Sequence, residues 1–346
     1  MEGENEMSDR YSRQILFAPI GIDGQRRIEK KHVLIIGLGA LGSSISEMLT
    51  RAGVGKLTLI DRDYVEESNL QRQQLYTEMD AKEKMPKVVA AKHRLSEINH
   101  DVYINAIVGE ADILILEQLA PNVDLIIDGT DNFEIRFILN DIAHKYNVPW
   151  IFGSCVGSFG STYTIIPGKT PCLHCLLQKI PMRGQTCDTV GIIAPTVQMV
   201  TSYQVAEALK ILSESEKALR NTYITFDLWE NQYLSIKTSD AIRNMDCPTC
   251  GKERTYPFLA FEEQTKFAVL CGRNTVQIRP STISHLSLGE LASQWKQAGY
   301  EVKQNPYLVS IQKEEIRLVL FKDGRALIHG TNDPAKARRI YYSLMG

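Results

Sequence analysis

The stretch HVLIIGLGALG, residues 32–42, decides the fold of this chain. Residues 32–37 predict a buried strand, and residues 41–52 continue as a helical pattern. Between them, Gly37, Gly39 and Gly42 form the pattern G-x-G-x-x-G, in which glycines permit a tight turn and let backbone N–H groups approach a phosphate. The stretch therefore predicts a strand–turn–helix unit that binds a nucleotide. On this motif alone a redox dinucleotide such as NAD is the favoured ligand, and a turn without any ligand is the alternative.

Outward from this unit, strands and helices alternate along the chain. Residues 56–61, 102–108, 124–128 and 149–152 predict strands, and residues 86–98 and 132–146 predict helices. Such alternation indicates βαβ units and a mainly parallel, doubly wound sheet. Beyond residue 159 the pattern changes to strands at 161–166, 222–227 and 232–237 with one long helix at 195–212, which we expect to extend the sheet with antiparallel strands.

The C-terminal part predicts a separate, small α+β module. We expect strands at 266–279, 302–312, 316–321 and 326–329, and helices at 288–298 and 334–344. Asp323-Gly324 lies between two of these strands and is a strong hairpin signal. We therefore expect two domains, a nucleotide-binding domain at 1–252 and a module of unknown role at 256–346.

Composition places the chain among ordinary globular proteins. It has 346 residues, 44% of them hydrophobic and 23% charged, with a formal net charge of −2. This balance indicates neither a nucleic-acid partner nor a membrane surface. Residues 1–10 lack the apolar core of a signal peptide, so we expect a cytoplasmic protein. The seven cysteines then favour metal binding or catalysis over disulfides.

Polar residues follow the glycine turn at positions where a nucleotide needs them. Asp61 ends the second predicted strand, where an acid accepts hydrogen bonds from ribose hydroxyls. Arg72 and Lys87, together with Arg13 near the N-terminus, supply cations, which a triphosphate requires more than a dinucleotide does. Asp131 follows the fourth strand and is predicted either to hold Mg²⁺ or to cap the next helix.

Two cysteine pairs have the spacing of a zinc site. They are Cys172-x-x-Cys175 and Cys247-x-x-Cys250, and four thiolates close a tetrahedral structural site without an open position. A redox dithiol and unrelated buried cysteines are the alternatives. Cys187 lies in a predicted loop at 178–192, where an exposed thiolate is a candidate nucleophile.

Taken together, these motifs resemble those of the MoeB/ThiF family, relatives of the ubiquitin-activating enzymes. The resemblance covers residues 7–251 and rests on RYSRQ at 10–14, the glycine turn, Asp61, SNLQRQ at 68–73, Pro86-Lys87, TDN at 130–132, Pro171-Cys172 and Cys187. It implies a Rossmann-like fold with a structural Zn²⁺. It also implies a nucleotide site formed by Gly37, Gly39, Gly42, Asp61, Asn69, Arg72, Gln73, Lys87 and Asp131.

The resemblance further implies an activity. Asn69, Arg72 and Lys87 would contact the phosphates of ATP, Asp131 would bind Mg²⁺, and Arg13 would reach the triphosphate of the neighbouring subunit in a homodimer. The C-terminal carboxylate of a ubiquitin-like sulfur-carrier protein, ThiS-like or MoaD-like, would attack the α-phosphate and release pyrophosphate. Cys187 would take up the activated carrier. Sulfur would come from another protein, for thiamin or molybdopterin synthesis or both.

Three other functional interpretations of the sequence compete with carrier adenylation. An NAD-dependent oxidoreductase fits the glycine turn alone. A superfamily relative that adenylates a modified tRNA base or a small molecule fits the nucleotide motifs. A non-catalytic, zinc-stapled scaffold would not need Asp131 at all.

Overall fold

The computed structural model describes residues 9–179, 190–238, 242–260, 267–270, 274–278, 287–322 and 324–345. The chain divides into two compact units, the larger formed by Met1–Lys82, Pro86–Gln185 and Ile192–Phe261, and the smaller formed chiefly by Glu262–Gly346. The division into domains at 1–252 and 256–346 stays a prediction.

An eight-stranded sheet, in the order β3-β2-β1-β4-β5-β6-β7-β8, forms the centre of the larger unit. Its first five strands are parallel, and β6, β7 and β8 extend it with antiparallel pairing. This confirms the predicted fold class. The strands are β1 (His32–Ile36), β2 (Lys56–Asp61), β3 (Tyr103–Val108), β4 (Leu125–Asp128), β5 (Trp150–Val156), β6 (Phe159–Ile165), β7 (Thr222–Asp227) and β8 (Gln232–Lys237).

The larger unit includes five helices that the sequence patterns did not predict, Ser12–Ile15, Gly21–Ile28, Glu78–Lys82, Ile113–Leu119 and Leu173–Lys179. These helices have four to eight residues, too few for a clear period. The helices are α1 (Ser12–Ile15), α2 (Gly21–Ile28), α3 (Ala40–Arg51), α4 (Glu78–Lys82), α5 (Lys87–Ile98), α6 (Ile113–Leu119), α7 (Phe133–Lys145), α8 (Leu173–Lys179) and α9 (Ala194–Leu212). Over the described residues of the whole chain, every helix is too short or too polar to cross a membrane.

Strand β1 lies at the middle of the parallel part because its side chains are apolar on both faces. Val33 pairs in register with Leu57 of β2 and Leu125 of β4, and residues 33–36 are all buried. A strand covered on both faces needs such a continuous apolar run. The prediction made from the HVLII pattern is confirmed.

The strand order also places a crevice. From β1 the chain runs first to β2 and β3 on one side, and later to β4 and β5 on the other. Connections therefore diverge at the carboxyl ends of β1 and β4, which is where doubly wound sheets bind ligands. The glycine turn follows β1, and residues 129–132 follow β4.

The smaller unit contains a six-stranded antiparallel sheet in the order β11-β12-β13-β14-β10-β9. Its strands are β9 (Phe267–Leu270), β10 (Thr275–Ile278), β11 (Glu301–Gln304), β12 (Leu308–Lys313), β13 (Ile316–Phe321) and β14 (Ala326–His329), and its helices are α10 (Leu288–Gln297) and α11 (Pro334–Met345). Side chains from both helices share an apolar core with one face of the sheet. The predicted hairpin is confirmed, since β13 and β14 pair antiparallel around Gly324.

Two predicted strands of this unit were wrong, because each is a pair of strands. Within the first predicted strand, residues 267–270 form β9 and residues 275–278 form β10, which pair antiparallel with Leu270 opposite Thr275. Residues 302–312 belong to β11 and β12, which are joined at Asn305, whose side-chain oxygen accepts hydrogen bonds from the N–H groups of Tyr307 and Leu308. An asparagine that bonds the backbone ahead of it favours a turn over a continuous strand.

Candidate nucleotide site and cysteine cluster

The glycine turn is packed backbone against backbone. A Cβ added at Gly42 would lie 1.8 Å from the carbonyl oxygen of Gly37, and one added at Gly129 would lie 2.5 Å from the same oxygen. Gly37 itself has a φ of +84°, which side chains rarely adopt. The pattern therefore serves a close approach between the ends of β1 and β4, with the N-terminus of α3 behind it.

Asp61 at the end of β2 contacts this turn directly. Its carboxylate accepts hydrogen bonds from the N–H of Leu38 at 2.5 Å and from the N–H of Asp63 at 2.7 Å. Burial raises the pKa of Asp61, whereas the Lys87 ammonium and the two N–H donors oppose that shift. Because a carboxylate has about four lone-pair positions, Asp61 retains capacity for a ribose hydroxyl.

Lys87 is a buried cation at the start of α5. Its ammonium lies 3.3 Å from the Asp63 carboxylate, and only 3% of the residue is exposed. Beside it, Arg62 forms an ion pair of 3.0 Å with Glu110. Burial by itself would lower the pKa of Arg62, but the carboxylates of Glu110, Asp63 and Asp131 raise it. We did not predict Arg62 or Asp63 from the sequence, although both directly follow Asp61.

The SNLQRQ segment lies beside the turn. Asn69 is buried and accepts a hydrogen bond from the N–H of Glu66, whereas Arg72 donates to the carbonyl of Ser68 at 2.8 Å. Gln73 is 3% exposed, and its side-chain oxygen has no hydrogen-bond partner among the described residues. Its amide nitrogen would be the nearest neighbour of a Cβ added at Gly39, at 3.9 Å. This segment therefore offers a buried polar acceptor beside the turn.

Tyr76 is a further residue of the site that the sequence did not reveal. Its hydroxyl donates to the carbonyl of Leu38 at 2.6 Å, within the glycine turn. Burial first, and then the negative charge of Asp61, raise the pKa of Tyr76 well above its ordinary value. The residue supports the turn as a neutral donor.

Asp131 is exposed in the segment between β4 and α7. The alternative that it caps α7 was wrong, because the cap is Asn132, whose side chain accepts from the N–H of Glu134 at 2.8 Å. The negative charge of Asp131 is also one of those that raise the pKa of Arg62.

Arg13 lies away from this cluster within one chain. It is exposed on α1. Next to it, the Tyr11 hydroxyl accepts a hydrogen bond from Asn99, which follows α5. The Gln14 side chain donates to the carbonyl of Ala52, which follows α3. Those positions are at the opposite end of the sheet from the glycine turn. Cys187 lies outside the described residues.

The four predicted zinc ligands converge. The sulfur atoms of Cys172, Cys175, Cys247 and Cys250 all lie within 4.8 Å of one another and are buried. Two of the distances are 3.6 Å, between Cys172 and Cys247, and 3.5 Å, between Cys175 and Cys250. Zinc–sulfur bonds of about 2.3 Å require edges of about 3.8 Å in a tetrahedron, so the donor set fits Zn²⁺.

The backbone around the cluster favours thiolates. N–H groups of Cys175 and Asn244 point at the sulfur atoms of Cys172 and Cys175, at 3.5 and 3.4 Å. A hydrogen bond from Cys172 lowers the pKa of Cys247, whereas the hydrogen bonds with Cys175, Cys247 and Cys250 raise the pKa of Cys172. The thiolate is the form of cysteine that binds a metal.

Comparison with known proteins agrees with this geometry. The ThiF family matches residues 11–249. The sulfur carrier protein ThiS adenylyltransferase of Bacillus subtilis is 52% identical over 342 residues, which are 98% of this chain and 100% of that protein. The molybdopterin-synthase adenylyltransferase of Escherichia coli is 36% identical over 253 residues, covering 71% of this chain and 99% of that protein. A crystal structure of E. coli MccB with ATP has a TM-score of 0.61 at 25% identity, covering 71% of this chain and 75% of that one.

Fold and site define a doubly wound α/β protein with a glycine turn at its switch point and a four-cysteine cluster. Within that class the relationship is specific, since the matching region contains the site residues described above. The chain belongs to the ThiF family.

Proposed function

We propose that this chain is an adenylyltransferase that activates the C-terminal carboxylate of a ubiquitin-like sulfur-carrier protein with ATP. The observation that carries the proposal is the cluster of Asp61, Lys87 and the glycine turn at the crevice. It occurs in a chain 52% identical, over nearly its whole length, to a protein named for adenylating ThiS.

The residues of the cluster have separable tasks. The glycine turn and the N-terminus of α3 receive phosphate through N–H groups, and Asp61 accepts from the ribose. Lys87 and Arg72 stabilise the charge that builds on the phosphates as the carrier carboxylate attacks the α-phosphate in line. Pyrophosphate leaves, and an acyl adenylate forms.

Mg²⁺ is the metal we assign to this site. Asp131 presents a hard carboxylate oxygen at the end of β4, the donor type that Mg²⁺ prefers. When bound, Mg²⁺ neutralises phosphate charge and orients the triphosphate. Asp131 would hold the metal, and Lys87 and Arg72 would pair with the triphosphate against the glycine turn.

For the cysteine cluster we propose a structural Zn²⁺. Four buried sulfur donors close a tetrahedron, so no position remains for substrate. The cluster then stabilises the fold and takes no part in the reaction.

We further propose that the protein is a homodimer and that Arg13 acts on the neighbouring subunit's nucleotide. The position of α1, at the far end of the sheet from the glycine turn of the same chain, supports this arrangement. A separate protein supplies sulfur, and Cys187 is proposed to accept the activated carrier. The expected location is the cytoplasm.

Pyrophosphate exchange into ATP, measured with purified ThiS-like and MoaD-like carriers in turn, tests the proposal. We expect exchange that depends on one or both carriers and on their C-terminal glycine carboxylate. Exchange with neither carrier, together with NADH fluorescence changes on binding or with adenylation of a modified tRNA base or small molecule, would favour the competing functions. Loss of exchange in Asp131→Ala excludes a non-catalytic scaffold.

A further inference from the structure

Arg136 is hydrogen-bonded to the segment that carries Asp131. It occupies the first turn of α7, is 3% exposed, and forms an ion pair of 2.8 Å with Asp128, which is fully buried at the end of β4. Its second guanidinium nitrogen donates to two carbonyl groups, those of Thr130 at 2.7 Å and Gly153 at 2.9 Å. One rigid side chain therefore joins β4, the following segment, α7 and β5.

Asp128 holds the same segment with its other oxygen. That oxygen accepts from the N–H of Thr130 at 2.9 Å and from its hydroxyl at 2.7 Å. On the other side of Asp131, the Asn132 side chain caps α7. Both neighbours of Asp131 are thus anchored, whereas the Asp131 side chain itself is exposed.

A buried ion pair is a costly way to stabilise a fold. Desolvation of two charges offsets most of their attraction, and apolar residues of similar volume often stabilise a protein at least as well. A guanidinium does offer donors in a fixed planar geometry, which an apolar side chain lacks. The contacts of Arg136 fit a residue that sets the position of a backbone segment.

We propose that Arg136, with Asp128, is a positioning residue that presets Asp131 for the metal–nucleotide complex. This inference rests on the proposed function, in which Asp131 binds Mg²⁺ with ATP. Arg136 acts through the Thr130 carbonyl and does not itself touch the nucleotide. Preorganised groups contribute to catalysis because no reorganisation is needed when charge develops.

A double-mutant cycle tests the inference. Arg136→Lys keeps the charge but not the planar donors, and Asp128→Asn loosens the same segment from the other side. We expect each to raise the Mg²⁺ concentration for half-maximal pyrophosphate exchange by about tenfold or more. In an Asp131→Asn background, where exchange is expected to be lost, Mg²⁺-dependent binding of a fluorescent ATP analogue is the readout. There each substitution should add less than about twofold, because the residue they position is already gone.

The matched control is Lys145→Gln, which lies on the same helix in an exposed ion pair with Glu117 and should leave exchange unchanged. Thermal midpoints and Mg²⁺-dependent binding of a fluorescent ATP analogue accompany each variant. Equal effects of Arg136→Lys with and without Asp131 would indicate a merely structural role and overturn the inference. If Asp131→Asn itself leaves Mg²⁺-dependent binding intact, the proposed function fails first, and the inference falls with it.

Discussion

At the scale of single residues, the buried Lys87 forms an ion pair with Asp63 at the proposed nucleotide site. Lys87 is 3% exposed, and its ammonium lies 3.3 Å from the Asp63 carboxylate. A buried ammonium needs such a partner, since an unpaired charge would be strongly destabilising. The pair therefore keeps the Lys87 ammonium charged although the residue is buried.

We expect Lys87→Ala to reduce carrier-dependent pyrophosphate exchange by more than about tenfold, or about 1.4 kcal/mol of transition-state stabilisation. The loss follows because Lys87 is placed to neutralise phosphate charge. Lys92→Ala, an exposed position on the same helix, is the control and should retain wild-type exchange. Wild-type rates in both variants would refute the phosphate assignment of Lys87.

At the scale of secondary-structure elements, α7 joins the nucleotide site to the cysteine cluster. Its first turn carries Arg136, and its later turns carry Asn140 and Asp141. The Asn140 side chain accepts from the N–H of Leu173 at 2.8 Å, and Asp141 accepts from the Thr249 hydroxyl at 2.5 Å. Both cysteine-bearing segments are therefore hydrogen-bonded to one helix.

Replacing Asn140 by Ala should lower the free energy of unfolding by about 1–3 kcal/mol, because the buried N–H of Leu173 loses its acceptor. Urea unfolding monitored by circular dichroism measures this. Glu134→Gln, exposed near the start of the same helix, should unfold at the wild-type midpoint. An unchanged midpoint in Asn140→Ala would mean that the Leu173 contact does not stabilise the fold.

The first strand of the sheet contains a pH-sensitive position, His32. Its ring lies 2.7 Å from the Asn122 carbonyl and 2.8 Å from the Thr58 hydroxyl. Burial lowers the pKa of His32 from its ordinary value, and the bond to Asn122 only partly opposes this. A lowered pKa in the folded state means that the unfolded chain binds the proton more readily.

Stability contributed by neutral His32 is therefore fully present above about pH 6.5, the ordinary value, and is lost as the pH falls from there through the lower pKa of the folded state. We expect His32→Gln to show a smaller decrease in urea midpoint between about pH 7.5 and about pH 5.5 than the wild type does. His100→Gln is the control, because that side chain is 83% exposed, and it should keep the wild-type pH dependence. A parallel decrease in all three proteins would contradict the assignment.

At the scale of the whole molecule, the cysteine cluster joins segments that are far apart in sequence. Cys172 and Cys247, whose sulfur atoms are 3.6 Å apart, are separated by 75 residues. Closing so long a loop costs only a logarithmic entropy term. A bound metal then contributes its binding free energy to folding.

We expect the purified protein to contain about one zinc per chain and to lose it when either cysteine pair is replaced by serine. Metal removal by a chelator should lower the thermal midpoint, because the two segments are then held by hydrogen bonds and packing alone. Cys155→Ser, a buried cysteine outside the cluster, should retain the metal. Metal-free protein with an unchanged midpoint would contradict the structural role.

The sequence by itself determined the parts of this protein that depend on local pattern. The apolar run 33–36, the glycine spacing after it and the alternation of elements predicted the doubly wound sheet. Such patterns can be recognised in the sequence because burial and turn geometry allow only certain residue types at positions of fixed spacing. The two cysteine pairs likewise predicted a cluster, since four sulfur donors at knuckle spacing have few other uses.

Only the tertiary structure decided which side chains meet. Arg136 pairs with Asp128 and with a carbonyl of β5, and Lys87 pairs with Asp63 across a separation of 24 residues. It also decided that Asn132 rather than Asp131 caps α7, which leaves Asp131 exposed. The physical reason is that these ion pairs and hydrogen bonds form between groups that the packing of the sheet and its helices brings together. The spacing of those groups in the sequence does not predict these contacts.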